Sequence, residues 1–321
     1  MGATHLRAYG KIPGAEVIAV CARNQRTLEG ELRNPGGNLD FPSAPVDISG
    51  LRRTTDWRDI LADPSIHAVN ICLPTDLHVE IAVAALEAGK HVLCEKPMAL
   101  LAADCDRMLE AARRRDRVLM IAHVLRFWPE YKLLEQYVRS GDLGAVCSAC
   151  FARSCGVPDW SKWLPDKTRS GGALLDLLVH DIDQVLHLFG WPRQVSACAR
   201  KGVDAITADL IYEEAFRVQI DGGWLKAGTP FSMGFSIEFQ QGRLDMSGEG
   251  LTITSGSGAR RRVEVSRNDA YEAEVSYFVE CCVNGNTPER CLAEESANAV
   301  NLALILERSR ANGGVAIACS D

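Results

Sequence analysis

Along the first third of the chain, short unbroken apolar runs alternate with longer stretches in which apolar residues recur every three to four positions. The runs "AEVIAVCA", "IHAVNICL", "KHVLCE" and "RVLMIAH" have the length and continuity of strands buried on both faces. Between two of them, "DLHVEIAVAALEAG" has helical spacing and closes on Gly89, a residue suited to a helix stop. This alternation predicts βαβ units and a Rossmann-like parallel sheet covered on both faces, an α/β domain over residues 1–122. The stretch "NPGGNLDFPSAPVDISG", residues 34–50, has no period and is rich in Gly and Pro, so it reads as a surface excursion.

From about residue 123 the pattern changes. The segments "VCSACFARS", "RQVSACAR", "AITADLIYE", "FRVQIDGGWL", "FSMGFSIEFQQ" and "RLDMSGEGLTITS" alternate apolar and polar positions and follow one another through short turns. They predict an α+β second domain over 123–321, built on a large open antiparallel sheet.

Composition narrows the picture. With 321 residues, 47% hydrophobic and 24% charged, the chain can build two cores and is too apolar for disorder, so a soluble globular protein is expected. A formal net charge of -7 opposes a nucleic-acid partner, which needs a concentrated basic face. Of the two arginine runs, Arg113–Arg115 ends a predicted helix, where cations suit the negative end of the dipole; Arg260–Arg262 is the other. No apolar run approaches the length of a membrane span, so no membrane partner is expected. No secretory signal precedes the twelve cysteines, and reduced thiols in a cytoplasmic protein are expected. Cys147 and Cys150 lie in a strand pattern that sends them to opposite faces, so they share neither a disulfide nor a metal, and no metal site is expected.

Two stretches carry chemistry. In "HVLCEKPMAL", Glu95, Lys96 and Pro97 directly follow a parallel strand, at the edge where open α/β sheets bind ligands. Lys96 there is either a substrate-facing acid or a surface lysine in an X-Pro turn. In "SGGALLDLLVHDIDQVLHLFG", Asp176 and His180 are four apart and share one helix face, with Asp183 further along it. Such a carboxylate and imidazole can move a proton near neutral pH; taken alone, the spacing fits a surface ion pair at least as well.

Together, "EKP" after a strand and "GGALLDLLVHDID" opening a helix in a second domain resemble the glucose-fructose oxidoreductase, inositol dehydrogenase and MocA family, usually called Gfo/Idh/MocA. The resemblance extends through "LPTDLHVEIAVAALEAGKHVLCEKP", "LRFWPEYKLLEQYVRSGDLGAV" and the strand-rich remainder; Leu178 stands where many members have glycine. It implies a nicotinamide dinucleotide on the first domain and a sugar, cyclitol or similar polyol against the sheet of the second. It further implies Lys96, Asp176 and His180 as the catalytic residues, and Arg126 and Asp183 as polyol contacts. The cofactor is expected near Gly2, His5, Arg23, Asn24, Pro74, Thr75, His78, Glu95 and Lys96. A homo-oligomer, dimer or tetramer, formed through the open sheet face is the family habit.

Family members begin with a strand and a GxGxxG turn. "MGATHLRAY" is similar to the end of that pattern, with Gly2 as its third glycine and His5 in its usual place, so the first strand and first two glycines are expected upstream of Met1. The acid that normally holds the ribose 2'-hydroxyl is replaced in "VIAVCARNQRT" by Ala22, followed by Arg23 and Asn24, which favours NADP(H) over NAD(H). The resulting expectation is an NAD(P)-dependent oxidoreductase. A non-catalytic sensor or scaffold of the same fold, or a redox-neutral glycosidase that uses bound NAD, stays open beside it.

Overall fold

The structure, a computed structural model, describes residues 1–321 except 30, 33–36, 39–43, 213–215, 267 and 320–321. In chain order its first part runs through α1 (Gly2–Tyr9), β1 (Ala19–Cys21), β2 (Glu31–Leu32), β3 (Val46–Asp47), β4 (Arg52–Thr54), α2 (Trp57–Ala62), β5 (Ala68–Ile71), α3 (His78–Glu87), β6 (His91–Glu95), α4 (Ala102–Arg115) and β7 (Leu119–Ala122). There follow α5 (Pro129–Ser140), β8 (Val146–Gly156), α6 (Lys167–Ser170), α7 (Gly172–Asp176) and α8 (Val179–Phe189). The strands β9 (Gln194–Ala199), β10 (Asp204–Ile211), β11 (Arg217–Leu225), β12 (Ser232–Phe239), β13 (Gly242–Ser247), β14 (Gly250–Ser255) and β15 (Arg260–Val263) come next. The chain closes with α9 (Ala270–Asn284), α10 (Ala293–Ala311) and β16 (Ile317–Ala318).

These elements pack as two units. The first holds Met1–Val124 together with Asn268–Ala297, and the second Leu125–Arg267 with Asn298–Asp321. A single cut after residue 122 therefore misses one return of the chain: α9 packs on α1, because α9 buries Val275 and Phe278 along one side and α1 buries Ala3, Thr4, His5 and Ala8.

In the first unit the predicted runs are parallel strands. β1 pairs with β4, and β5, β6 and β7 pair in that order. β6 and β7 are almost wholly buried, as expected of strands covered on both faces, whereas β1 is half-buried. Asp56 caps α2 and Asp269 caps α9 through side-chain acceptors. Arg113, Arg114 and Arg115 end α4 and pair with Glu294, Glu87 and Glu110, so that basic run is a neutralised helix terminus. Within the aperiodic 34–50 stretch, Val46–Asp47 pairs with Glu31–Leu32; residues 34–36 and 39–43 of that stretch lie outside the described residues.

The second unit is built on a nine-stranded sheet of order β15-β14-β13-β12-β8-β11-β10-β9-β16. The sheet is mixed where sequence predicts it antiparallel: β8 and β11 run parallel, and the other neighbours antiparallel. The reason lies in the connection, which passes through three helices and the β9–β10 hairpin before β11 returns beside β8. Alternation along β8 buries Ala149, Phe151, Arg153 and Cys155 on the helix-covered side and turns Ser148, Cys150, Ala152 and Ser154 to the other. Cys147 and Cys150 accordingly fall on opposite faces, and both are free thiols. Among the described residues no helix is long and apolar enough to cross a membrane.

Candidate functional site

In the first unit the chemistry gathers at the carboxyl ends of the parallel strands. Glu95, the last residue of β6, is buried; its Oε2 accepts the backbone N–H of Lys96 at 3.2 Å and its Oε1 lies 3.1 Å from His5 Nε2. The other ring nitrogen of His5 lies 3.1 Å from Asn70 Oδ1, while Asn70 Nδ2 donates to Cys72 Sγ at 3.2 Å. With oxygen acceptors on both ring nitrogens, His5 donates twice and is an imidazolium. Burial pulls its pKa down, but the charge and hydrogen bond of Cys72, then those of Glu95, hold it well above the ordinary histidine range. Burial likewise pushes Glu95 up, and the His5 hydrogen bond and charge more than reverse this, leaving its pKa low.

His5, Cys72 and Glu95 offer ligand-type atoms within 4.8 Å of one another, a set that sequence reasoning misses. The set is closed by its own hydrogen bonds. Beside it lies a second omission, Glu274 on α9: fully buried, with neither carboxylate oxygen hydrogen-bonded among the described residues. Burial lifts its pKa well above the carboxylate range, partly opposed by the His5 charge and reinforced by that of Glu95. Its signal in the sequence is a charge in phase with Val275 and Phe278 on the packing side of a helix.

His78 is buried with its ring nitrogens 2.9 Å from the carbonyls of Pro97 and Leu73. Burial lowers its pKa, partly opposed by those two carbonyl acceptors, and the ring joins the two strand-end loops. Thr75 is buried as well, whereas Gly2, Pro74 and Lys96 are half-buried and Arg23 and Asn24 exposed. The amino end of α1, at Gly2, has no side-chain cap and no acid in its first turn. Uncapped amides at a helix start and the exposed ends of parallel strands suit the diphosphate of a dinucleotide.

In the second unit, Asp176 and His180 do not share one helix. α7 ends at Asp176 and α8 starts at Val179, with Leu177 and Leu178 both donating to the Ala173 carbonyl at 2.9 Å in the turn between. The widened turn is what the uniform four-residue spacing overlooks. Gly171 and Gly172, at φ 76° and 74°, open α7; a Cβ on Gly171 would meet Leu175 Cδ1 at 2.4 Å. From residue 172 to 185 every side chain is buried except those of Asp176 and His180.

Arg126 and Asp183 meet in a bidentate pair, Nη2 to Oδ1 at 2.6 Å and Nε to Oδ2 at 2.9 Å, and both side chains are 1% exposed. As a pair they fix α8 to the Val124–Phe127 turn, and a polyol contact by either requires the pair to open. Arg126 also lies 3.2 Å from His187 Nδ1, whose Nε2 is 3.2 Å from Glu135. A second buried pair, Arg153 with Asp181, was not anticipated: Nε meets Oδ2 at 2.7 Å, and Arg153 also donates to the Tyr131 hydroxyl at 3.3 Å. Its signal is an arginine in phase with Ala149, Phe151 and Cys155 on the buried face of a strand.

Comparison with known proteins agrees with this geometry. Residues 1–123 match the family model described as "Oxidoreductase family, NAD-binding Rossmann fold" and residues 131–249 the "GFO/IDH/MocA C-terminal domain". A levoglucosan dehydrogenase of Pseudarthrobacter phenanthrenivorans is 35% identical over 224 residues, 67% of this chain and 53% of the relative. A myo-inositol 2-dehydrogenase of Thermotoga maritima is 33% identical over 135 residues, 42% of this chain and 40% of the relative. The chain thus spans about half the length of the curated relatives it matches. A solved levoglucosan dehydrogenase, complexed with NADH and levoglucosan, covers 100% of this chain and 97% of its own at a TM-score of 0.84 and 20% identity, a likeness of fold.

Proposed function

The chain belongs to the Gfo/Idh/MocA family of oxidoreductases with an NAD-binding Rossmann fold, and from that premise we propose that it moves a hydride between a nicotinamide dinucleotide and a carbinol carbon of a sugar or cyclitol. The observation that carries this reading is selective burial: between residues 172 and 185 every residue is buried except a carboxylate, Asp176, and an imidazole, His180, which are half-buried. A surface ion pair on an ordinary helix has exposed polar neighbours, whereas these two stand alone on a buried support.

The chemistry divides among three side chains. When bound, the nicotinamide would supply the hydride acceptor. His180 takes the hydroxyl proton as the C–H bond breaks, so alcohol and oxidised cofactor become carbonyl, reduced cofactor and one proton. Asp176 orients the ring and balances the imidazolium that forms. Lys96, in the turn after β6, is assigned as a donor to an oxygen that gains carbonyl character. In reduction the proton returns by the same route.

The dinucleotide is taken on the strand ends around Gly2, Pro74 and Lys96, with His5, His78, Thr75 and Glu95 holding the loops beneath. NADP(H) is preferred, because Ala22 supplies no acid for a ribose 2'-hydroxyl while Arg23 and Asn24 are exposed at the end of β1. The half-polar outer face of the nine-stranded sheet, including Ser148, Cys150, Ala152 and Ser154, is the surface through which copies of the chain associate. A screen of sugars and cyclitols with NAD+ and NADP+, read as formation of reduced nicotinamide, tests the activity. Sedimentation of the purified chain tests the association.

A further inference from the structure

A helix normally satisfies its first amides with a Ser, Thr, Asp or Asn immediately before it. α7, which ends at Asp176, has Gly171 in that place; the Gly172 amide is taken by the Ser170 hydroxyl at 3.0 Å, and the next amide, that of Ala173, needs another acceptor. Its acceptor comes from 31 residues downstream: Asp204, the first residue of β10, takes the backbone N–H of Ala173 on Oδ2 at 2.8 Å. The other oxygen of the same buried carboxylate receives Arg310 of α10 at 2.6 Å and Lys167 of α6 at 3.0 Å. Burial raises the pKa of Asp204, and the Ala173 amide with the two cations more than reverses that, so the group stays ionised.

We infer that Asp204 is a positioning residue for Asp176 and His180, acting through the Ala173 amide to fix where α7 begins. This rests on the dehydrogenase reading of those two side chains. Three features support it. The cap ties the helix start to the sheet and to the α10 cation, in addition to the Ser170 hydroxyl just before it, so the core of the unit helps to set the direction of α7. Gly172 is required by the same contact, since a Cβ there would lie 2.5 Å from Asp204 Oδ2. And Ala173, the capped residue, is itself the acceptor for Leu177 and Leu178 at the turn that leads to His180, so a shift at the cap is transmitted along both helices. Cys155, Leu177 and Trp224 pack around Ala173, which leaves the helix start one seat in the core.

The test uses the full chain with Asp204→Ala, Asp204→Asn and Gly172→Ala. For each, the readouts are the titration midpoint of the His180 ring by NMR, the affinity for dinucleotide, and, where turnover of a sugar or cyclitol is found, kcat and KM well below Tm. Asp204→Ala is expected to move the His180 midpoint and lower kcat at least about tenfold, because small misplacements of reacting groups are costly. Dinucleotide affinity is expected to stay within about twofold, the normal spread for an untouched site. Asp204→Asn, whose amide oxygen still accepts from Ala173, is expected to recover part of the loss. Should Asp204→Ala fail to fold, Gly172→Ala, which leaves every charge in place, must show the same displacement of His180. A lowered Tm with the His180 midpoint and kcat unchanged would overturn the inference and leave Asp204 a purely structural anchor. If wild-type protein turns over no polyol, the dehydrogenase reading fails by itself, and the His180 midpoint still decides whether Asp204 positions that ring.

Discussion

The two units hold their buried acids in different ways. In the second, Asp181 and Asp183 face guanidinium groups, which stay charged at every pH a protein survives. In the first, Glu95 faces an imidazolium and Glu274 faces no hydrogen-bond donor among the described residues. The contrast follows chemical need. On the dehydrogenase reading, the second unit keeps α8 and its neighbours rigid beneath Asp176 and His180, and fixed charges with forked geometry do that. The first unit places its acids beneath the turn that carries Lys96, where protonation states are set by mutual contact. The two units therefore answer acid differently: burial raises Asp181 above its ordinary range, whereas His5 holds Glu95 below its own.

The largest effect expected concerns a guanidinium clamp. Arg153→Met leaves Asp181 buried without its cation, and denaturant unfolding should show a loss of about 3–5 kcal/mol near neutral pH. Burial already holds the Asp181 pKa above the ordinary carboxylate range despite Arg153, so the loss should shrink as pH falls and the acid takes its proton. A cost below about 1 kcal/mol would mean that the pair is not what fixes α8.

Next come the reactive side chains on either side of the comparison. Lys96→Ala and His180→Ala should each lower turnover at least about a hundredfold with the melting temperature preserved, the scale of a positioned acid or base. Unchanged turnover in both would remove them from the chemistry.

The sharpest test of the pH contrast is Glu274→Gln. A carboxyl whose folded pKa is raised contributes fully below its unfolded value of 4.5, and that contribution is lost as pH rises toward the folded pKa. The His5–Glu95 pair has the opposite sense on its acid side: Glu95, with its lowered pKa, loses its contribution as pH falls, and His5, raised, as pH rises through its own. Wild type should thus be penalised for Glu274 above the ordinary carboxylate range, and Glu274→Gln should gain stability with rising pH, by at least about 1.4 kcal/mol at pH 8. A pH-independent difference would show that Glu274 is ionised in the folded chain.

The smallest effect is cofactor choice. Parent protein should bind NADPH more tightly than NADH in fluorescence titrations, and Arg23→Ala should narrow the gap by up to about fivefold, the worth of one exposed cation near a phosphate. Equal affinities in the parent would refute a role for Arg23.

Much of this organisation is legible in the sequence, because it follows from short-range pattern. The four apolar runs become parallel strands, and the polar–apolar alternation after residue 123 becomes the large sheet. What depends on long-range pairing is hidden. The parallel contact of β8 with β11 comes from a crossover that periodicity cannot count. The return of α9 to the first unit leaves no mark in composition. The break at Leu177–Leu178 escapes a pattern that is helical on both sides of it. For the site, residue types single out Lys96, Asp176 and His180 as candidates, while the partners of His5 and the cap on α7 require contacts between residues 90 and 31 positions apart. Arg153 and Glu274 were open to detection as charges in a buried phase.

The central claim, hydride transfer from a carbinol carbon, is tested most directly by isotope. Purified protein would be mixed with NAD+ or NADP+ and a panel of sugars and cyclitols bearing deuterium on their carbinol carbons, and the nicotinamide analysed by mass spectrometry. The account predicts that at least one substrate gives reduced cofactor carrying one deuterium, and that His180→Ala abolishes the transfer while dinucleotide still binds. Dinucleotide binding without any deuterated cofactor across the whole panel would contradict it.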